Sequence, residues 1–531
     1  MKKITLITTL CLLASLFLKM TAFSQVRIDW QQCYGTTDDD YCEGVQPYGN
    51  GYWVAGSVTM WDGMCQCASF YYSGTWLFQL DGNLSISQQG CYVYVQGHII
   101  DLAVRLLAND DGDSFMVGII YSDINVADPD RHLFVDKLDE SLNPEWFVEL
   151  NTEHTLVHAA PCAVATDDKG VAAAAVINEG GGDAAVYFGG NDCWVVKIGA
   201  NGQLQWERTL GTEGDEAPGC LISTRDGGIL AGLRASLAGT GNIGCGQTGN
   251  HDVLVKLDAD GNILWNICLS EAGLTDVLEL DDGYLIAGTS DNANSASDCA
   301  LTRCDLDGNV LWSQHYGGSG KETMVKMFRD GPDGFTVFAN ATSTDGDLAS
   351  AALLGNPVNE RGNIWVFHVD DLGNLLWERC LGSTKGLLEE VVDVVRTDEG
   401  QFLLAGNMTW FEETTSGDVH CTNNAVIPYS SQNLWVLHVT DVFDYTATAE
   451  RFYDQVSLYP NPAQNEVKVT GEGIREVEVR NLLGQQVAQT ECPEGVDSII
   501  VSLEGLPQGV YLVSVRLADG KRCEKKLVVQ Q

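Results

Sequence analysis

The side chains best able to act in catalysis or metal binding are histidines, cysteines and carboxylates, and their spacing matches no common catalytic motif. The nine histidines lack metal-ligand spacing, and Cys65 and Cys67 have no second Cys or His pair at zinc-ribbon distance. The chain also contains no G-x-S-x-G turn, phosphate-binding loop or HExxH motif. We therefore predict no catalytic residue and no cofactor, and we favour a binding protein over an enzyme.

Acidic side chains could still hold a cation such as calcium. Asp258, Asp260 and Asn262 place oxygens at alternate positions, but no bidentate Glu follows them. Asp, Gly and Asn are also the residues expected in a hairpin turn, and we interpret them as turn residues. Carboxylates between the repeat units are better candidates for calcium or for capping neighbouring backbone groups, and the sequence leaves both readings open: Asp39, Asp40, Asp215 and Glu216.

Aromatic side chains in long, variable segments are the best candidates for contacting a ligand. Flat rings with a polar rim suit a sugar or a protein surface. The alternative is that these rings form small cores within their own loops, pinned by disulfides that involve nearby cysteines such as Cys193 and Cys299. The candidates are Trp61, Phe70, Tyr71, Tyr72, Tyr121, Tyr187, Phe188, Trp410, Phe411 and Tyr429.

The elements that carry these segments form a repeat. W194VVKIGANGQLQW206, V253LVKLDADGNILW265, A300LTRCDLDGNVLW312 and W365VFHVDDLGNLLW377 each read as two strands joined by a Gly turn. Weaker copies begin at Trp76 and Leu133. One position of the first strand carries Gln79, Lys137, Lys197, Lys256, Arg303, His368 and His438, so these two histidines mark a repeat position and not a general base.

The repeat predicts a closed ring of sheets. Two further apolar strands precede each hairpin, so each unit has four strands, and residues 26 to 451 hold seven units of about 61 residues. The chain begins with a Trp strand that lacks its partner, V26RIDW30, and the repeat ends with W435VLHV439, a strand that lacks its Trp strand. These halves would share one sheet and remove two exposed edges. We predict an all-β fold: a seven-bladed β-propeller over 26–440, a linker at 441–451 and a small immunoglobulin-like sandwich over 452–531.

Ten of the 13 tryptophans fall in phase with the repeat, and we expect them to pack between sheets. This pattern resembles the tryptophan-bearing β-propellers, including those of quinoproteins. The resemblance implies the fold. It does not imply a quinone, because the chain has no vicinal Cys-Cys pair.

Composition and the N-terminus indicate export. The net charge of −43 over 531 residues argues against binding nucleic acid through a basic surface. Residues 1–24 read as a signal peptide, with Lys2 and Lys3 before an apolar run that is too short to span a bilayer. Sixteen cysteines would remain in the mature chain, an even number that suggests disulfides in an oxidising compartment.

The last 80 residues carry a different set of motifs. Y459PNP462, N481LLGQQV487, L506PQGVYLVSV515 and the basic tail K521RCEKKLVV529 closely resemble the C-terminal sorting domain of type IX secretion cargo. The resemblance implies recognition by that secretion machinery and a secreted or outer-membrane-attached product. It assigns the sorting role to Tyr459, Pro460, Asn461, Pro462, Gly509, Tyr511, Lys525 and Lys526.

The resulting hypothesis is an exported, non-catalytic propeller that binds an extracellular glycan or surface protein through the loops between the second and third strands. One alternative is a polysaccharide lyase or glycosidase with carboxylates in the central channel or on the loop face. Another is a structural surface component that cations stabilise.

Overall fold

A computed structural model describes residues 25–35, 40–48, 51–58, 74–81, 85–92, 94–95, 98–108, 114–121, 131–139, 143–150, 162–244, 249–269, 273–291, 297–330, 334–348, 350, 362–382, 389–398, 400–409, 415–416, 419–420, 432–442, 456–459, 463, 465–481, 486–503, 505–507, 509–517 and 522–529. These residues form β-strands and turns, with no α-helix among them. Two compact units divide the chain, Met1–Asp441 and Val442–Gln531.

The first three complete sheets of the N-terminal unit follow strand β1 (Gln25–Tyr34). Sheet 1 contains β2 (Asp40–Tyr48), β3 (Gly51–Val58), β4 (Gly74–Leu80) and β5 (Ile86–Tyr92). Sheet 2 contains β6 (Tyr94–Val95), β7 (His98–Ala108), β8 (Ser114–Tyr121), β9 (Arg131–Leu138) and β10 (Pro144–Leu150). Sheet 3 contains β11 (Cys162–Ala165), β12 (Val171–Ile177), β13 (Asp192–Ile198) and β14 (Leu204–Leu210).

The next three sheets repeat the four-stranded antiparallel order. Sheet 4 contains β15 (Asp215–Ser223), β16 (Ile229–Leu237), β17 (Gly249–Leu257) and β18 (Ile263–Leu269). Sheet 5 contains β19 (Leu274–Leu280), β20 (Gly283–Asp291), β21 (Ser297–Asp305) and β22 (Val310–Tyr316). Sheet 6 contains β23 (Glu322–Asp330), β24 (Gly334–Ala341), β25 (Asn363–Val369) and β26 (Leu375–Leu381).

Sheet 7 joins the two ends of the unit. It contains β27 (Glu389–Asp398) and β28 (Gln401–Thr409), then β31 (Gln432–Val442), which pairs with β1. A short hairpin, β29 (Thr415–Ser416) and β30 (Val419–His420), lies between β28 and β31 in the chain. His438 and Thr440 on β31 both contact the carboxylate of Asp29 on β1. The two half-units of the sequence therefore meet in one sheet, as we expected.

Contacts between sheets run through their first strands, where β7 counts as the first strand of sheet 2 because the short β6 is an additional fifth strand. β2 contacts β7, β7 contacts β11, β11 contacts β15, β15 contacts β19, β19 contacts β23, β23 contacts β27, and β27 contacts β2. Among the described strands these contacts form a closed cycle around a common centre. Repeated four-stranded antiparallel sheets arranged in this way are consistent with a propeller.

The sheets have two different ends. At the turn end, the first strand connects to the second and the third connects to the fourth by short turns. At the loop end, the second strand leads to the third through the long segments, and the fourth leads to the next sheet.

Glycine and tryptophan lock neighbouring sheets together at the turn end. Gly261 has a φ of +79°, and a methyl group at this residue would lie 2.6 Å from the Trp206 ring of the preceding sheet. The Trp206 indole also donates a 2.9 Å hydrogen bond to the carbonyl of Ala259 in the same turn. Trp146 and Trp312 make the same bond to the next sheet, at 3.0 and 3.1 Å. Trp76, Trp194, Trp365 and Trp435 on the third strands are fully buried.

The repeated basic position on the third strand is also explained at the turn end. Lys197 and Lys256 are buried, and each forms a 2.8 Å ion pair with the aspartate of the turn between strands one and two, Asp168 and Asp226 respectively. His368 lies 3.7 Å from the equivalent Asp330, and His438 bonds to Thr397 at 3.1 Å. These side chains fix a turn to the sheet, which is a structural role.

The C-terminal unit is a separate antiparallel β-structure. It contains β32 (Val456–Tyr459), β33 (Glu466–Asn481), β34 (Gln486–Ser502), β35 (Gly509–Leu517) and β36 (Arg522–Val529). The sheet order is β32-β33-β35-β36, and β34 also pairs with β33. Alternate residues of β33 and β35, including Val477, Val479 and Val513, form its buried core.

Candidate functional site

A polar cleft opens at the loop end of sheets 4 and 5. Its volume is about 560 Å³, within the range of small-molecule sites. Sheet 4 contributes Arg234, Ser236 and Asn250, and the first strands of sheets 5 and 6 contribute Thr275 and Thr323. Because these residues flank the long segments, the cleft lies at the end of the sheets where the sequence predicted ligand contacts. Neither of the two predicted aromatic residues with described side chains, Tyr187 and Phe188, lines it.

A second cavity of about 420 Å³ lies at the centre of the cycle that the first strands of the sheets form. Arg234, Thr275, Thr323 and Met324 line both spaces, so the cleft adjoins the central cavity. Residues from the first strands of all seven sheets contribute to its wall.

Charged side chains of both signs surround the central cavity. Its wall includes Glu43 of sheet 1, Arg105 of sheet 2, Asp276 of sheet 5, Lys326 of sheet 6 and Asp393 of sheet 7. Arg234 of sheet 4 and the exposed carboxylate of Glu390 complete the charged set. The sequence analysis missed these residues. The available signal was a charge inside an otherwise apolar first strand, as in T323MVKMF328 and E390VVDVV395.

Most of these charges are compensated within the protein. The Lys326 ammonium lies 3.2 Å from a carboxylate oxygen of Asp276, whose negative charge raises the pKa of the lysine. The other Asp276 oxygen accepts the Met327 amide at 3.1 Å. Asp393 accepts the amide of Val45 at 3.0 Å, and burial raises its pKa despite the opposing charge of Lys326.

Arg105 and Arg234 differ in their partners. The Arg105 guanidinium donates to the Glu43 carbonyl at 3.4 Å, and its charge opposes the rise in the pKa of Glu43 that burial causes. Arg234 is exposed to the two cavities and makes no hydrogen bond or ion pair with any residue that the structure describes. It is therefore the cation available to an incoming group.

Of the ten predicted ligand-contacting aromatics, Tyr187 and Phe188 have described side chains. Tyr187 is 38% exposed, and its hydroxyl donates a 2.8 Å hydrogen bond to the Gly190 carbonyl within the same segment. Phe188 is half-buried, and its amide donates to Asp192 at 2.7 Å. The structure thus presents the Tyr187 ring at the surface of a segment held by its own hydrogen bonds.

The other eight aromatics are not described at side-chain level. Tyr121 ends strand β8, and its side chain lies outside the described set. The remaining seven lie outside the described residues: Trp61, Phe70, Tyr71, Tyr72, Trp410, Phe411 and Tyr429. Their role as ligand contacts stays a prediction.

Two of the carboxylates proposed for calcium or capping, Glu216 and Asp215, accept backbone amides. Both oxygens of buried Glu216 accept bonds from Thr212, one from its amide and one from its hydroxyl, each at 2.7 Å. Asp215 accepts the Asn191 amide at 3.0 Å. Asp40 is fully buried, whereas Asp39 lies outside the described residues. For Glu216, the geometry is that of a cap on the connection between sheets 3 and 4.

The same cap recurs on another connection. Buried Glu322 accepts amide bonds from Gly318 at 2.9 Å and Ser343 at 3.1 Å. The Asp258 turn is likewise occupied by its own chain, because one carboxylate oxygen accepts the amides of Asp260 and Asn262. Among the residues that the structure describes, no cluster of three or more His, Cys, Asp or Glu is arranged to hold a metal.

The expected disulfide pinning by Cys193 and Cys299 is wrong. Both are free thiols, completely buried in β13 and β21. Their positions within strands direct the sulfur into the sheet core, where free cysteine behaves as a small apolar residue. The sequence placed both at the ends of loops because it did not resolve where each third strand begins.

The proposed sorting residues lie on the edges and core of the C-terminal unit. Tyr459 ends β32, and Gly509 begins β35. Tyr511 is buried and donates a 2.7 Å hydrogen bond to the Pro507 carbonyl. Lys525 and Lys526 on β36 pair with Val513 and Leu512. Pro460, Asn461 and Pro462, like the predicted signal peptide, lie outside the described residues.

Comparisons with known proteins bear on the two units differently. No curated protein matches the chain. Solved structures similar to it include a protein of unknown function from Dyadobacter fermentans, with 10% identity, a TM-score of 0.42, and coverage of 78% of this chain and 99% of that one. The periplasmic gluconolactonase of Pseudomonas aeruginosa has 13% identity, a TM-score of 0.40, and coverage of 68% and 94%. Cobalt-substituted apocarotenoid oxygenase of Synechocystis has 10% identity, a TM-score of 0.38, and coverage of 66% and 73%. At these scores we draw nothing on function from them.

No helix in the described part of the chain has the length and apolar character to cross a membrane. Residues 457–530 match the family described as "Secretion system C-terminal sorting domain". This match spans β32 to β36 and supports the resemblance to type IX secretion cargo. The chain therefore carries a type IX sorting domain at its C-terminus, and the protein is exported to a secreted or outer-membrane-attached location.

Proposed function

We propose that this protein is an extracellular binding protein that reaches the cell surface or medium through a type IX secretion system and takes its ligand at the loop end of a seven-bladed β-propeller. In this proposal the seven sheets are the blades, and β1 and β31 share the last one. The cycle of contacts between first strands supports the blade count, and the packing of Trp206 on Gly261 supports the likeness to tryptophan-bearing propellers. The C-terminal unit would be an immunoglobulin-like sandwich.

The observation that carries the binding role is the polar cleft of about 560 Å³ at the loop end. The turn end is closed by repeated ion pairs and tryptophan contacts, whereas at the loop end Arg234 has no hydrogen-bond or ion-pair partner among the residues that the structure describes. Tyr187 adds an exposed ring on a neighbouring segment. A glycan or a surface protein could use both features.

A binding screen with a parallel turnover assay tests this function. The full-length chain would be applied to an array of bacterial, plant and animal glycans and surface peptides, and each ligand would then be examined for bond cleavage. Saturable binding without cleavage supports the proposal. Cleavage that a single carboxylate substitution abolishes would replace it with a lyase or glycosidase. Failure to bind any probe counts against a binding role.

Blade count has its own test. An experimental map of the N-terminal unit should show seven sectors, with residues 26–34 paired to 432–442. Six or eight sectors would contradict the proposed architecture without affecting the export assignment.

A further inference from the structure

The cations around the central cavity are not equally neutralised. Lys326 forms an ion pair with Asp276, and Asp393 also raises its pKa. Arg105 lies beside Glu43, donating to its carbonyl. Arg234 makes no contact of this kind among the described residues, although it lines both cavities. Two carboxylates also line the cleft beside Arg234, and each accepts a backbone amide: Asp215 from Asn191 and Asp252 from Leu274. Among the described residues, Arg234 is therefore the cation of this wall that has no hydrogen-bond or ion-pair partner of its own.

Three cations of the wall act on Cys162 of sheet 3, which also lines the central cavity. Burial raises the pKa of this thiol, while the charges of Arg105, Arg234 and Lys326 each oppose that rise. Three cations from sheets 2, 4 and 6 therefore act on the same part of the wall. A guanidinium offers five donors and matches the two oxygens of a carboxylate or sulfate group.

The adjoining cleft offers neutral hydrogen-bonding groups. Ser236, Asn250 and Thr323 line it, and none of their side chains bonds to a described residue. Thr275 and Thr289 also line it, but their hydroxyls already take part in bonds within the protein. Three available hydroxyl or amide groups beside one available guanidinium suit a small ligand with several hydroxyls and one anionic group.

We propose that the loop-end cleft binds an acidic sugar, with its carboxylate or sulfate paired to Arg234 and its hydroxyls bonded to Ser236, Asn250 and Thr323. This inference rests on the proposed binding function and names its ligand class. An acidic peptide would supply the anion but fewer hydroxyl groups for these three side chains.

The acidity of the chain gives this site a distinctive dependence on salt. At a net charge of −43, the protein repels an anionic ligand at long range, and that repulsion is screened beyond about 10 Å at 0.1 M salt. The proposed contact with Arg234 acts over a few Å, well within the screening length, so salt weakens it less than it weakens the long-range repulsion. The association rate for the acidic sugar should therefore rise as salt increases from about 0.01 to 0.15 M.

Calorimetry and stopped-flow binding with the full-length chain test the proposal. The probes are trigalacturonate, a sulfated galactose trisaccharide, uncharged maltotriose and triglutamate. The wild type should bind at least one acidic sugar, and Arg234→Gln should weaken that binding about tenfold or more. Arg234→Lys keeps the positive charge but lacks the planar guanidinium that can donate two parallel hydrogen bonds, so it should recover part of the affinity. Arg225→Gln is the matched control, because Arg225 is an exposed arginine at the turn end, paired with Asp281.

Each outcome separates the two proposals. Binding of the acidic sugars that Arg234→Gln leaves unchanged overturns the site, and so does a preference for maltotriose or triglutamate, while the binding function survives. Binding of the carboxylated but not the sulfated probe, or the reverse, identifies the anion. If none of these probes binds but another array ligand does, the acidic-sugar inference fails alone. If nothing binds anywhere, both proposals fail. A melting temperature equal to that of the wild type confirms that Arg234→Gln is folded.

Discussion

The turn end and the loop end of the sheets differ in how closely their contacts recur from one sheet to the next. At the turn end, Lys256 meets Asp226, and Trp206 meets Gly261, and the same pairs recur in neighbouring sheets. At the loop end, sheets 4 and 5 line a cleft with Arg234, which has no partner in the described part of the chain and no charged counterpart in the repeat. Sequence repetition in this protein therefore marks contacts that hold sheets together, and departures from it mark the surface that we propose binds a ligand.

The strongest test of the repeated end is Gly261→Ala. The substitution adds left-handed backbone strain and a methyl group 2.6 Å from the Trp206 ring. We expect a loss of about 2–4 kcal/mol in the free energy of unfolding, measured by denaturant titration. Gly227→Ala is the matched control, because Gly227 has φ +80° but its nearest neighbour would be 3.9 Å away. Equal losses in both variants would show that the tryptophan contact contributes nothing.

One residue inside sheet 2 also departs from the repeat, and it tests whether such departures always mark a functional surface. Asp136 occupies a third-strand position that is Val196 in sheet 3 and Val255 in sheet 4. One of its buried oxygens has no hydrogen-bond partner within the described ranges. Burial raises its pKa to about 7. Because this folded-state pKa is above the unfolded value near 3.8, the carboxyl lowers stability progressively as pH rises from about 4 to 7.

Asp136→Asn removes this pH dependence. We expect a gain of a few kcal/mol at pH 8 and little change at pH 4, measured as the free energy of unfolding at both values. Asp258→Asn is a control, since that exposed aspartate has a lowered pKa and should show no gain at pH 8. If Asp136→Asn instead weakens ligand binding without stabilising the protein, the departure is functional even within the sheet.

Glu216→Gln tests capping against cation binding at the loop end. One carboxylate oxygen would become an amide and could no longer accept a bond from Thr212, so we expect a loss of about 1–2 kcal/mol. The loss should be the same in calcium and in chelator, as read from melting curves. A loss present only with calcium would establish this residue as a cation ligand and contradict the cap.

Tyr187→Ala has the smallest expected effect on stability. The ring is exposed, so unfolding should change by less than about 1 kcal/mol. Its contribution to ligand affinity is the informative measurement, and Tyr187→Phe separates the ring from its bond to Gly190. Unchanged affinity in both variants would leave Tyr187 as a residue that only organises its own segment.

The sequence predicted the repeated part of the molecule far better than the site. A Gly turn before Trp206 and a base at Lys256 follow from local turn chemistry and strand periodicity, and they recur often enough to be recognised. Pairing of β1 with β31 could be predicted because each half-unit lacked its partner. Arg234 could not be identified in this way. Its proposed role depends on which carboxylates of distant strands already pair with other groups, and the sequence does not show those pairings.

The aromatic and cysteine candidates show a second limit of the sequence, which does not determine side-chain exposure or the exact ends of strands. Sequence placed Tyr187 correctly in a long segment, but its exposure depends on the hydrogen bonds that fold that segment. Cys193 and Cys299 were misassigned because a shift of a few residues moves a cysteine from a loop into a buried strand.

Pairing of β1 with β31 also has a consequence for the order of folding. The partners of Gln25–Tyr34 begin about 400 residues later, at Gln432, so this contact has a very large sequence separation and forms slowly. A chain delivered N-terminus first cannot complete sheet 7 until almost the whole N-terminal unit has crossed. Residues 443–456 separate β31 from the matched sorting domain in the sequence, so cleavage within this segment would leave the pairing of β1 with β31 in place.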